Sequence, residues 1–130
     1  MIHLDTNVLI RLPHLAERRH PFLDRLASGE AIGMSAIAWF EFCSGLERGI
    51  APDELEFARV LVGDHLMPFD EASAALAARL FNSTGRRRRL KSDACIAATA
   101  IRAGAEFATL NGPDFEPFVP LGLRLLPLLP

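Results

Sequence analysis

The first seven residues, MIHLDTN at positions 1–7, are a short apolar run that stops on three polar residues. That is the pattern of a buried strand, Met1 to Leu4, opening into a turn with an aspartate at the strand's carboxyl end. Similar units follow. Ala31 to Met34 is a second brief apolar run, and Ser35 stands as the N-cap of the helical stretch AIAWFEFCSGLERG, which closes on Gly49. His65 to Phe69 reads as a third strand, after which Asp70 caps an alanine-rich helix from Glu71 to about Phe81. Glu106 to Leu110 reads as a fourth, and Leu121 to Leu126, flanked by prolines, as a last strand at a sheet edge.

The intervening segments are helical. Val8 to Leu26 is interrupted at Pro13 and Pro21, which predicts two helices rather than one, closed by Gly29. Pro52 enters another helix with Asp53, Glu54 and Glu56 in its early turns, ending near Gly63. After the polar, cationic stretch NSTGRRRRLK, Ser92 starts the helix DACIAATAIRAG, and Asn111-Gly112-Pro113 turns the chain toward Asp114 and Phe115. Strands alternating with helices predict an α/β fold of three layers, a mainly parallel sheet with helices on both faces. Ligands of such sheets bind outside the carboxyl ends of the strands, where strand order reverses.

The chain has 130 residues, 50% apolar and 23% charged, which fits a single domain spanning 1–130 with a core that needs no disulfide. Cys43 and Cys95 are expected to be free thiols, in keeping with a reducing cytoplasm. The opening MIHLDTN meets an aspartate at position 5, so no secretory signal is expected, and the apolar stretch from Pro117 to Pro130 is broken by prolines and carries Arg124, so no membrane span is expected. The net charge of −2 gives no global basic footprint, so any polyanion site must be local.

The strand-end rule selects Asp5, Asp93 in the first turn of its helix, and Asp114. On a helical wheel from Ala36, Trp39, Phe40, Phe42, Cys43 and Leu46 fall on an arc from about 240° round to 40°, and Glu41 falls near 140°, facing away from that stripe. Each acid alone is as well explained as a cap, a turn residue or a solvated side chain. Gathered on one rim, however, they would repel one another unless a cation neutralised them. An all-oxygen ligand set, without histidine or cysteine at zinc spacing, points to Mg²⁺ or Mn²⁺. Such an ion polarises a phosphoryl oxygen and lowers the pKa of a water, the chemistry of phosphodiester hydrolysis. Asp5 and Asp93 are the candidate direct ligands, Asp114 a ligand directly or through water, and Glu41 a ligand or the general base. Arg86, Arg87, Arg88, Arg89 and Lys91, just before Asp93, are candidate contacts to a nucleic-acid backbone, without base specificity. His3, His14, His20 and His65 are read as packed or scattered, and Trp39, Phe40 and Phe42 as core.

These residues resemble the PIN-domain ribonucleases, and among them the small VapC-type toxins of type II toxin–antitoxin systems. The resemblance rests on LDTNVLI at 4–10, S-x-I-x-W-F-E-F from Ser35 to Phe42, SDACIAATA at 92–100 and ATLNGPDF at 108–115. It implies a Mg²⁺-dependent endoribonuclease whose metal centre is Asp5, Glu41, Asp93 and Asp114, supported by Thr6 and Asn111. It further implies a homodimer, a cognate antitoxin that buries the active site, and a structured RNA substrate. Some members carry an acid where this chain has Asn111, so Asp114 or Asn111 completes the site, and Leu110 stands where an arginine is common. Two rival readings remain. A haloacid-dehalogenase-like phosphatase also places an aspartate after its first strand but needs D-x-D, and here the third position is Asn7. A catalytically silent binding module of the same fold would differ only in lacking turnover. The absence of GxGxxG, GxxxxGK[ST] and GxSxG disfavours nucleotide-binding and serine-hydrolase readings.

Overall fold

Along the chain, Ile2–Leu4 (β1) leads into Thr6–Glu17 (α1) and Phe22–Ala27 (α2), then Ile32–Ser35 (β2) into Ala36–Ser44 (α3). Pro52–Val62 (α4) precedes Leu66–Met67 (β3), Glu71–Ser83 (α5) and Lys91–Arg102 (α6); Glu106–Thr109 (β4), Gly112–Phe115 (α7) and Arg124–Pro127 (β5) complete the order. This computed structural model describes residues 1–45 and 52–129. The strands form one sheet in the order β3-β2-β1-β4-β5, every pairing parallel. Every residue of β1 and β2 is buried, as expected when helices cover both faces of a parallel sheet. The chain order reverses between β1 and β4, whose ends are tied by a hydrogen bond from the Asp5 N–H to the Ala108 carbonyl at 2.9 Å.

Side-chain burial explains where the elements depart from the sequence pattern. Pro13 does not interrupt α1 but lies inside it. It removes one helical hydrogen bond, and burial of Leu12 and Leu15 on either side offsets that loss. The break comes instead beyond Glu17, where Arg19 adopts a φ of 51°. Ser92 is not the cap of α6: the helix begins at Lys91 and runs on from a 3₁₀ turn, Arg88–Leu90, whose buried Leu90 anchors the entry in place of a polar cap. The third strand is reduced to two residues, because Gly63–His65 forms a 3₁₀ turn and Pro68 has no N–H to donate. The last strand starts at Arg124 rather than Leu121, since a 3₁₀ turn, Glu116–Leu121, is closed by Gly122 at a φ of 116°. Phe42 is core and Trp39 is half-buried against it, with ring centroids 5.6 Å apart, but Phe40 is 70% exposed and not core. The expected helix end at Gly49, and Leu46 on the wheel, lie outside the described residues.

His3, in the middle of β1, is 1% exposed, and its Nδ1 has no hydrogen-bond partner among the described residues. Gly33 opposite is obligatory, because a Cβ there would stand 2.7 Å from the His65 carbonyl oxygen and 3.0 Å from the His3 ring. Burial, reinforced by the Met1 ammonium and His65, lowers the His3 pKa from 6.5 to about 4. The folded protein therefore resists a proton that the unfolded chain accepts, and stability falls as pH drops from 6.5 to about 4. We expect a loss approaching ~3 kcal/mol across that window. It is read as the difference in urea midpoint between the wild type and His3→Gln, which cancels the carboxylates; a pH-independent difference would show that His3 takes no part.

Candidate active site

Four acids from four segments face one region at the carboxyl ends of β1 and β4. Asp5 is the N-cap of α1, and its Oδ1 accepts from the Thr6 N–H at 2.8 Å. The other oxygen accepts from the Thr109 hydroxyl at 2.7 Å, so the last residue of β4 clamps the acid at the end of β1. The Asp5 side chain is only 6% exposed, and burial raises its pKa against the opposing pull of Thr109 and Thr6.

Glu41 enters from α3. The Thr6 hydroxyl donates to its Oε1 at 2.9 Å and lies 3.2 Å from the Ala38 carbonyl, linking α3 to the start of α1. Ala38 and Phe42 are the buried residues of this helix, so its inner face is rotated from the arc drawn on the wheel and Glu41 flanks it, half-buried, instead of facing away. Neighbouring acids had to be placed before that face could be recognised.

Asp93 lies in the first turn of α6, where the helix dipole favours a carboxylate. Other effects win. Burial first, then the charges of Asp5, Asp114 and Glu41, raise its pKa to about 7, with Arg89 the opposing charge. At neutral pH the Asp93 carboxyl is therefore poised between its two protonation states.

Asp114, on α7, has both oxygens engaged: Oδ1 with Arg89 Nη1 at 2.9 Å and Oδ2 with the Asn111 side-chain amide at 2.6 Å. Asn111 also donates its backbone N–H to the Thr109 hydroxyl at 2.9 Å, and Asn7 Oδ1 accepts from the Leu110 N–H at 3.1 Å. Asn7 is thus a tie across the switch point, which argues against a second phosphatase acid at that position. Thr109 and the tying role of Asn7 are not legible in the sequence. Only a cue from strand order, a hydroxyl residue ending the strand beside β1, could have pointed to Thr109.

Within the cationic run, Arg86 sits over the Phe81 ring at 5.5 Å and donates to Asn82 at 2.8 Å, while Arg89 turns toward Asp114. Arg87, Arg88 and Lys91 are exposed, with no side-chain partner among the described residues.

Among the described residues no three acidic side chains stand close enough to grip one ion directly. The four acids share a field rather than a closed cage, because Thr6, Thr109, Arg89 and Asn111 already hold several of their oxygens. The donor set nonetheless suits a hard cation that retains its waters: it is all oxygen, each carboxylate keeps unused lone pairs, and a cation would relieve the repulsion imposed on Asp93.

The PIN domain profile matches residues 2–116 of the sequence. The chain belongs to the PIN domain family. Solved structures share its fold. The FitAcB structure from Neisseria gonorrhoeae aligns with a TM-score of 0.68 at 25% identity, over 97% of this chain and 96% of that one. A toxin–antitoxin complex from Klebsiella pneumoniae aligns at 0.70 and 24% identity, over 89% and 91%. VapBC2 from Rickettsia felis, bound to a DNA fragment from its promoter, aligns at 0.73 and 20% identity, over 99% and 100%. No curated protein matches the sequence.

A second feature of this PIN domain lies apart from the acids. A cleft of about 580 Å³ runs between α1, α2 and α4, lined by apolar side chains such as Leu9, Leu23 and Leu61, with Asp53 and Glu54 at its border. Ile10 and Phe57 line it while remaining 51% and 58% exposed. No helix among the described residues is long and apolar enough to cross a membrane.

Proposed function

We propose that this PIN domain is a Mg²⁺-dependent endoribonuclease, with Mn²⁺ as an alternative cofactor, acting in the cytoplasm as the toxin of a toxin–antitoxin pair. The observation that carries this reading is the set of four acids brought to the carboxyl ends of β1 and β4, where burial and then the charges of the other three raise the Asp93 pKa. Asp5 and Asp93 would hold the ion, with Asp114 reaching it through a retained water. When bound, it supplies Lewis-acid polarisation of a phosphoryl oxygen and an acidified water. Glu41, oriented by the Thr6 hydroxyl, is placed to accept the proton of the attacking water, and Thr109 and Asn111 keep Asp5 and Asp114 in position. Arg87, Arg88 and Lys91 draw the RNA backbone toward a rim that would otherwise repel it.

The likeness to a toxin–antitoxin complex and to VapBC2 supports a protein partner, and the apolar cleft offers such a partner a surface. A homodimer is the expected assembly.

The test is cleavage of structured RNA by the purified protein. Activity should require Mg²⁺ or Mn²⁺, vanish with chelator and return when the ion is restored. Cleavage indifferent to chelator would refute the metal assignment, and no cleavage of any RNA would leave a silent binding module. A separate prediction concerns salt. Replacing Arg87, Arg88 and Lys91 with Gln should reduce the log–log salt slope of RNA binding by about 0.7 for each phosphate that is no longer neutralised. An unchanged slope would remove this strip from the interface.

A further inference from the structure

The basic strip and the acid rim meet at one ion pair that the proposed reaction does not use, between Arg89 Nη1 and Asp114 Oδ1 at 2.9 Å. Asn111 takes the other Asp114 oxygen, so both oxygens of this acid are engaged by the protein itself. The backbone of Arg89 is fixed by the 3₁₀ turn and the buried Leu90 beside it, whereas its side chain is 61% exposed and able to swing away. The charge of Arg89 also opposes the acids that act on Asp93. A cationic N–H on a carboxylate oxygen satisfies it in the manner of a bound cation, and the two compete for that oxygen.

Building on the metal-dependent reading of the site, we propose that Arg89 is an internal counter-ion of the acid rim: by pairing with Asp114 it lowers the affinity of the free protein for divalent cations. It is a positioning residue that competes with the ion, distinct from the phosphate contacts assigned to Arg87, Arg88 and Lys91.

The experiment is Mn²⁺ binding to the full chain without RNA, followed by electron paramagnetic resonance of unbound Mn²⁺. Arg89→Gln should tighten binding by about three- to tenfold, allowing an exposed ion pair and the repulsion it relieves. Arg89→Lys should stay close to the wild type. Arg88→Gln, which removes the same charge one residue away, should change affinity by less than about twofold. In an Asp114→Asn background the gain from Arg89→Gln should disappear, since the two effects then share one interaction. Equal gains from Arg88→Gln and Arg89→Gln, no gain from Arg89→Gln, or a gain that survives Asp114→Asn would each overturn the counter-ion role. If no variant binds Mn²⁺, the metal-dependent reading itself fails, an outcome distinct from equal binding by the wild type and Arg89→Gln.

Discussion

Replacing Asp93 with Asn will abolish RNA cleavage and, without divalent cations at neutral pH, will make the protein more stable. The two effects share one cause. Burial and the charges of Asp5, Asp114 and Glu41 raise the Asp93 pKa from 3.8 to about 7. A raised folded-state pKa means that the folded protein binds the proton more tightly than the unfolded chain. The resulting stabilisation is fully present below 3.8 and is lost as pH rises through about 7. At pH 8 the ionised carboxylate is therefore a net burden, and Asn, of nearly the same shape, removes it. Asp93 is half-buried, and solvent screening leaves a gain of ~1–2 kcal/mol, or several degrees in Tm. The loss of activity should exceed about a hundredfold, because even partners outside the ligand shell are worth ten- to a hundredfold at metal sites. Thermal unfolding at pH 5 and pH 8, with a cleavage assay, checks both. A mutant equally stable at both pH values relative to the wild type would remove the electrostatic account, and retained cleavage would remove Asp93 from the chemistry.

The second large effect belongs to the core beneath α7. Phe115 follows Asp114 directly and is 1% exposed, its ring centroid 4.5 Å from Phe107 and 6.1 Å from Phe118. Phe115→Ala should cost about 3–5 kcal/mol, through lost transfer energy and the cavity left between β4 and the 3₁₀ turn that follows α7. At this chain length that is a fall of roughly 10–20 °C in Tm. Cleavage should fall with it even at temperatures where the variant is folded, because the helix carrying Asp114 loses its anchor. Asp114→Asn is the control: it should impair cleavage while leaving Tm within a few degrees. A Phe115→Ala variant that keeps wild-type stability would mean that the aromatic cluster does not hold α7 in place.

Local pattern made much of this architecture legible. Met1 to Leu4 ends on Asp5 because a strand buried on both faces is mostly apolar until it emerges, His3 being the exception here, and Asp70 caps α5 through a bond from the Ser73 N–H at 2.9 Å. Asp5, Asp93 and Asp114 could be picked out because strand ends and helix starts are visible in one dimension. What could not be read locally was set by packing between distant segments. Pro13 is tolerated because Leu12 and Leu15 reach the core, and α6 starts early because Leu90 anchors it. The rotation of α3 that places Glu41 beside Ala38, and leaves Phe40 outside, depends on how that helix seats against α1. The Arg89 to Asp114 pair and the Thr109 clamp on Asp5 join residues 25 and 104 positions apart, separations that no periodicity records.

The pairing of β1 with β4 sets a timetable for a newly made chain. Asp5 leaves the ribosome long before the Thr109 hydroxyl that clamps it, 104 positions later, and the Ala108 carbonyl that receives its N–H. Until that later segment is made, the growing polypeptide lacks the far wall of its own acidic rim. Under the proposed function, the nascent chain is harmless until the segment carrying Thr109 has emerged and folded back onto Asp5.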